Sequence, residues 1–352
     1  MSSYLTYGAN LFLAILAGLL LTLISGFAAI KIARRFNIVD MPGAAPYKLH
    51  KIPTPLAGGI ALGTSLVLLV FSIGLWKDSS LNAVFIPAVI IFIFGLWDDR
   101  RRLSPLLKFA GQLIATLLLI SSGVYIRIFE SPTFFIGGVG GIYVWLDRMI
   151  SVLWIVGVTN AFNLVDSMDG LGIGLSTFAF GFFMLVTFDS GQFTLAIFCA
   201  LILGVCIALN FYNASPAKLF MGDSGDLTLG FLLAALAILY TPQKVYQSSS
   251  WFIPILLAGI PIFDTSLVFF SRLRRGKPFY GSGSDHTYHR LVAWGLDPSR
   301  AVLGMHLAAL LLECLAFVSI SLSPLPANLI FIFCLVMGGT ALIILDNRKR
   351  WP

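Results

Sequence analysis

The chain has 352 residues, 58% of them hydrophobic and only 11% charged, with a mean hydropathy of +0.92. A water-facing domain carries roughly 25% charged residues, so a soluble globular protein is excluded and most of this surface must face lipid. A formal net charge of +7 leaves nucleic acid, an acidic membrane surface or an anionic substrate as partners, and the positions of the charges decide among them.

In chain order, apolar runs predict spans at about 8–30, 55–76, 81–97, 106–126, 148–166, 172–188, 191–209, 226–241, 251–270, 301–322 and 325–345. That is an all-α polytopic membrane protein of about eleven transmembrane helices, the shorter ones tilted or broken. The first run follows polar Ser2 and Ser3 without a basic segment or cleavage site, so it reads as a retained span. With the N-terminus outside and the C-terminus cytoplasmic, only Lys77, Arg127, Arg148 and Lys244 of the 23 Lys and Arg face outward, and the positive-inside rule selects that orientation. Part of this bias is ordinary topology signalling, so it does not by itself prove an anionic substrate. The outer stretch 127–147 carries Gly137-Gly138-Val139-Gly140-Gly141 and reads as a small hairpin. Without a linker, repeat or low-complexity tract, residues 1–352 read as one membrane domain. Cys199, Cys206, Cys314 and Cys334 fall in apolar runs and read as small buried hydrophobes.

Five inner segments collect the chemistry. The first holds Lys48, His50 and Lys51, donors for an anion, ahead of Gly58-Gly59, which permit close backbone approach; a basic anchor before a helix contact would look the same. The second is Asp98-Asp99-Arg100-Arg101-Arg102, with Lys108 beyond. Adjacent carboxylates repel, which invites a cation or raises one pKa, and suits a magnesium ligand or general base; simple neutralisation by the arginines is the alternative. In the third, Asn160, Asn163, Asp166 and Asp169 recur every three residues and share one helical face, costly in a membrane unless it lines a wet site.

The fourth is Phe220-Met221-Gly222-Asp223-Ser224-Gly225-Asp226, a Gly-flanked carboxylate entering a helix, able to hold a metal and a phosphate or simply to cap. Phe220 is the nearest aromatic for stacking on a base. The fifth runs from Arg272 to Lys277 and then Asp285-His286-Thr287-Tyr288-His289-Arg290, where His286, His289 and Arg290 could clamp a diphosphate. Within the spans, Asp264 lies towards an inner end, and His306 and Glu313 share one helix face, as a functional pair or an interhelical contact.

Taken in order from about Asp40 to Arg290, these motifs resemble the polyprenyl-phosphate N-acetylhexosamine-1-phosphate transferases, glycosyltransferase family 4. The resemblance implies a Mg²⁺-dependent enzyme, with Mn²⁺ as a substitute. Its reaction would join a UDP-N-acetylhexosamine and a polyprenyl phosphate into polyprenyl-diphospho-sugar, with release of UMP. It implies Asp223 as metal ligand and catalytic group and Asp98 and Asp99 as catalytic carboxylates near the lipid phosphate, with metal contact open to them. It further implies a substrate cleft of Lys48, His50, Lys108, Asn160, Asn163, Asp166, Asp169, Asp226, His286, His289 and Arg290, with Phe220 on uracil. Ser167 stands where the family has Gly, and Asp226 where Ser is usual. The 285–290 loop lacks the triple-histidine run of the muramoyl-pentapeptide branch, which favours the UDP-GlcNAc branch and a first membrane step in cell-envelope glycan synthesis. The expected location is the plasma membrane, with a cytoplasmic active site, lipid as partner, no nucleic acid, and a homodimer as one oligomeric option. A transporter or lipid flippase for an anionic substrate is the rival reading, and a binding-only scaffold leaves the carboxylates unexplained; transporters place ionisable groups near the midplane, not at inner helix ends.

Overall fold

The computed structural model describes residues 2–43, 52–131, 141–242, 247–278, 283 and 285–347. In chain order the helices are α1 (Ser2–Arg35), α2 (Gly58–Ile73), α3 (Ser79–Arg101), α4 (Pro105–Ser121), α5 (Ile142–Val165), α6 (Leu171–Asp189), α7 (Phe193–Asn213) and α8 (Gly222–Leu239). Beyond these lie α9 (Gln247–Ser250), α10 (Ile253–Leu257), α11 (Gly259–Arg274), α12 (Thr287–Ala293), α13 (Pro298–Ile320) and α14 (Pro324–Leu345).

Every predicted apolar run is helical, yet eleven spans are not confirmed. Among the described residues eight helices are long and apolar enough to cross a membrane. A ninth span requires counting the pair Ser248–Leu257 and Gly259–Arg274 as one, although it bends by 68°. The helices α2 and α4 have 16 and 17 residues, short of the roughly 20 that a hydrocarbon core demands. The middle of the predicted outer hairpin, residues 132–140, lies outside the described set, and its last part is helical: 142–147 are the first turns of α5. There buried Asp147 accepts the backbone N–H groups of Ile128, Phe129 and Glu130 at 2.9, 2.9 and 3.1 Å, folding the preceding segment onto the helix.

The helix α8 is the hub. Its most apolar window is 72% buried against 11% for α14, and α2, α3 and α5 pack around it. Small residues make that packing close: a Cβ on Gly95 of α3 would lie 2.5 Å from Ser224 Cα, and one on Gly59 of α2 would strike the Ser224 side chain. On the far side α1 and α6 sandwich α7, and Gly204 of α7 leaves no room for a side chain against the Ile15 carbonyl.

One element is not helical. Two-residue strands β1 (Val39–Asp40) and β2 (Thr54–Pro55) pair antiparallel, Val39 opposite Pro55 and Asp40 opposite Thr54. The chain then docks on the entry to α8, with Phe220 N–H donating to Pro55 O at 2.9 Å and Gly59 N–H to Met221 O at 3.0 Å. The first inner loop is thereby tied to the segment that carries Asp223.

Candidate active site

The ends of α3, α5 and the beginnings of α4 and α8 meet at one end of the bundle. The helix α3 stops at Arg101, Arg102 takes a left-handed turn (φ 46°), and Ser104 caps α4 by accepting the Leu107 N–H, with Pro105 in the first helical position. This three-residue reversal brings Lys108, in the first turn of α4, back to the carboxylates in the last turn of α3.

Lys108 is the centre of the site. Its half-buried Nζ lies 2.7 Å from Asp98 Oδ2 and 2.5 Å from Asp223 Oδ2. The second oxygen of Asp223 accepts from Asn163 Nδ2 at 3.1 Å, and that of Asp98 from the Leu103 N–H. Two carboxylates from helices far apart in sequence therefore converge on one cation.

Asp99 faces elsewhere. Its carboxylate accepts the backbone N–H groups of Asp223 at 2.7 Å and Ser224 at 3.1 Å, and the Ser224 hydroxyl at 2.5 Å. It caps the N-terminus of α8 from a neighbouring helix, where an anion is favoured, and so holds Asp223 in place. The paired aspartates thus divide the work: Asp98 meets the ammonium and Asp99 positions its partner. Gly222 belongs to the same device, since its φ is +69° and a Cβ there would lie 2.7 Å from the Asp99 carboxylate. Gly222→Ala is expected to lower stability by about 2 kcal/mol, the usual cost of a left-handed Ala plus the contact, read as a lower thermal midpoint in detergent.

The third motif is brought together in part. Asn163 reaches Asp223, whereas Asn160 is engaged in a two-way amide pair with Gln112 of α4, at 3.1 and 2.7 Å. Asp166 accepts the Gly172 N–H at 3.0 Å and is hydrogen-bonded to Asp226. Burial pushes the Asp166 carboxyl up, with the Asp226 and Gly172 hydrogen bonds opposing. Asp226, the departure from the family pattern, therefore has a partner inside the protein. Asp169 accepts the Ala217 N–H at 3.1 Å, and Gly170 N–H donates to Asn213 Oδ1 at 2.9 Å, which fastens the loop leading to α8. Phe220 is half-buried, and its carbonyl accepts from Ala57 and Gly58. Lys48 and His50 lie outside the described residues.

The fifth segment folds as a separate block. His286 Nδ1 meets Asp264 Oδ2 at 2.7 Å, and the Thr287 N–H donates to Asp264 Oδ1 at 2.6 Å. Burial, with His286 nearby, pushes His289 down to about 4, so it is neutral at physiological pH, and its Nδ1 is sealed without a hydrogen-bond partner. Arg290 is held within the protein. Fully buried, it donates to the carbonyls of Asp285 and Leu345 and to Asp346 Oδ1, each at 3.0 Å. Arg274 Nε and Ser271 Oγ also reach Asp346, at 2.7 and 2.6 Å, while Arg272 and Arg275 hold Asp285. Sequence reading missed Asp346 entirely and left Asp264 unassigned; a carboxylate inside an apolar run was the available signal for the latter. His306 is an interhelical contact, its Nε2 at 3.2 Å from Leu171 O, and Glu313 is buried.

Among the described residues no group of three or more His, Cys, Asp or Glu side chains is disposed to hold a metal. The convergence of Asp98 and Asp223 on one cationic point nevertheless fits Mg²⁺, which binds through one or two carboxylates plus substrate phosphates and not in an all-protein cage.

The chain is similar over residues 81–241 to glycosyl transferase family 4, a stretch that holds α3 to α8 and every residue around Lys108. It is 32% identical over 331 residues to a Bacillus subtilis (strain 168) protein described as "Probable undecaprenyl-phosphate N-acetylglucosaminyl 1-phosphate transferase", covering 92% of this chain and 88% of that one. A decaprenyl-phosphate N-acetylglucosaminephosphotransferase of Mycobacterium leprae (strain TN) is 30% identical over 368 residues, 95% of this chain and 91% of its own. The phospho-N-acetylmuramoyl-pentapeptide-transferase of Limosilactobacillus fermentum is 31% identical over 199 residues, only 53% of this chain and 60% of its own. With the likeness running end to end only in the first two, the chain belongs to glycosyl transferase family 4, in its polyprenyl-phosphate N-acetylglucosamine-1-phosphate transferase branch.

Proposed function

We propose that the protein transfers N-acetylglucosamine-1-phosphate from UDP-GlcNAc to a polyprenyl phosphate at the cytoplasmic face of the plasma membrane, with Mg²⁺. The observation that carries this reading is the Asp98–Lys108–Asp223 convergence at the ends of membrane helices, where a lipid phosphate can arrive from the bilayer and a nucleotide from water. The reaction forms a bond from a lipid phosphate oxygen to the sugar-bearing phosphorus and breaks its bond to UMP, which leaves with its phosphate.

Bringing the two phosphate groups together gathers roughly three to four negative charges, which repel unless they are neutralised. Lys108 presents an ammonium already oriented by two carboxylates, so it can meet phosphate oxygens with little reorganisation. Asp223 and Asp98 would hold Mg²⁺, which supplies charge neutralisation on the diphosphate when bound. Asn163 fixes the rotamer of Asp223, and Asp99 fixes its backbone. The nucleophile is an ionised phosphate, so the site has positioning and charge to supply and little proton transfer.

Detergent-purified full chain should release UMP from UDP-GlcNAc only with undecaprenyl phosphate and Mg²⁺ present, and should stop on chelation. If folded protein releases none from UDP-GlcNAc, UDP-GalNAc or UDP-muramoyl-pentapeptide, the transferase reading is wrong.

A further inference from the structure

The buried pair Asp264–His286 has no role in the account above. Asp264 sits in the second turn of α11, fully buried, with Pro261-Ile262-Phe263 before it and Thr265-Ser266, then Leu267-Val268, after it. A carboxylate is costly there and needs a partner. Both of its oxygens are used on one short stretch, Oδ2 on His286 Nδ1 at 2.7 Å and Oδ1 on the Thr287 N–H at 2.6 Å. One side chain thus fixes both the imidazole and the start of α12. A ring nitrogen facing a carboxylate carries the proton, which determines the tautomer and leaves Nε2 for the ring's outer task. Among the described residues Nε2 has no protein partner, and unlike His289 Nδ1 it is not sealed.

We propose that Asp264 is a positioning residue for the transfer: it holds His286 with Nδ1 protonated and Nε2 presented to a phosphate oxygen of the sugar nucleotide. The inference rests on the transferase reading above. The charged and titratable groups facing His286 are Asp264 from α11 and, from its own segment, Asp285 and His289, the latter with ring centroids 5.9 Å apart. Asp285 is already committed to Arg272 and Arg275, so Asp264 is the carboxylate left to act on the imidazole.

The test is a cycle of Asp264→Asn, His286→Gln and the double variant in the full chain, with UMP release followed against pH and the thermal midpoint as a folding control. Each single variant should lose about 10- to 100-fold in kcat, the range for a lost positioning contact to an acting group, with KM less affected. The double variant should be no slower than His286→Gln. In Asp264→Asn the pH profile of kcat should differ from that of the wild type, since the charge beside the imidazole is gone. A merely structural cap would lower the midpoint without changing that profile. Should Asp264→Asn not fold, Asp264→Glu carries the same reading, with the charge kept and an intermediate loss. An unchanged profile in an active, folded variant, or losses that add in the double variant, overturns the proposal while the transferase reading stands. Absence of UMP release by the wild type would overturn the transferase reading instead.

Discussion

Asp223→Asn is expected to reduce kcat for UMP release by about a thousandfold while the protein keeps its thermal midpoint. The isosteric amide can still accept from Asn163 on its oxygen, but its NH2 then faces the Lys108 ammonium, two donors where a carboxylate and a cation had met. The backbone N–H of residue 223 still donates to Asp99, so the α8 entry stays in place. What disappears is one of two charges converging on the cation. Removing one preorganised electrostatic contact in a secluded site costs about 10²–10³, and the loss of a metal-ligating carboxylate adds to it. The decisive measurement is single-turnover UMP release at saturating Mg²⁺ beside the melting curve. A variant within tenfold of the wild type would remove Asp223 from the chemistry.

The second large effect concerns stability. Asp346→Ala should destabilise the protein by about 3 kcal/mol, because it removes a carboxylate to which the buried Arg290 guanidinium donates. Activity should fall along with stability, since the same guanidinium anchors the segment bearing His286 and His289. A thermal midpoint in detergent within about 1 °C of the wild type would refute this. The clamp also has a pH signature. Burial raises the carboxyls of both Asp285 and Asp346, but the guanidiniums and, at Asp346, Ser271 outweigh it and hold both low, Asp285 at about 2. A depressed carboxyl stabilises fully above its unfolded value and loses that contribution only as pH falls through the folded one. The segment should therefore stay pinned at pH 5 and loosen below about pH 4.

The parts of this protein that were legible in its sequence are those written in short-range pattern. Apolar runs located the helices, and the carboxylates and amides at their ends located Asp98, Lys108, Asn163 and Asp223, because a polar group at a membrane helix terminus is expensive without a use. Partnership was not legible. Asp99 and Asp98 are adjacent and chemically identical, yet one faces Lys108 and the other the amides of α8, and the Asp99 contact spans 124 residues of chain. The same holds for Arg290, which reads as a ligand for phosphate until Asp346 is found beside it. Hydropathy also hid the 68° break between α10 and α11, since the run 251–270 is apolar throughout. Pro254, Gly259 and Pro261 were the local sign of it.

Because Asp346 follows the last turn of α14, the lock on the histidine segment is closed by a residue synthesised after all of α1 to α14. Helices α3 to α8 can assemble around Lys108 while translation continues. A nascent or prematurely stopped chain that ends before residue 346 would hold a formed carboxylate centre beside an unfastened histidine block. Competence of the histidine segment is thereby tied to translation beyond residue 346.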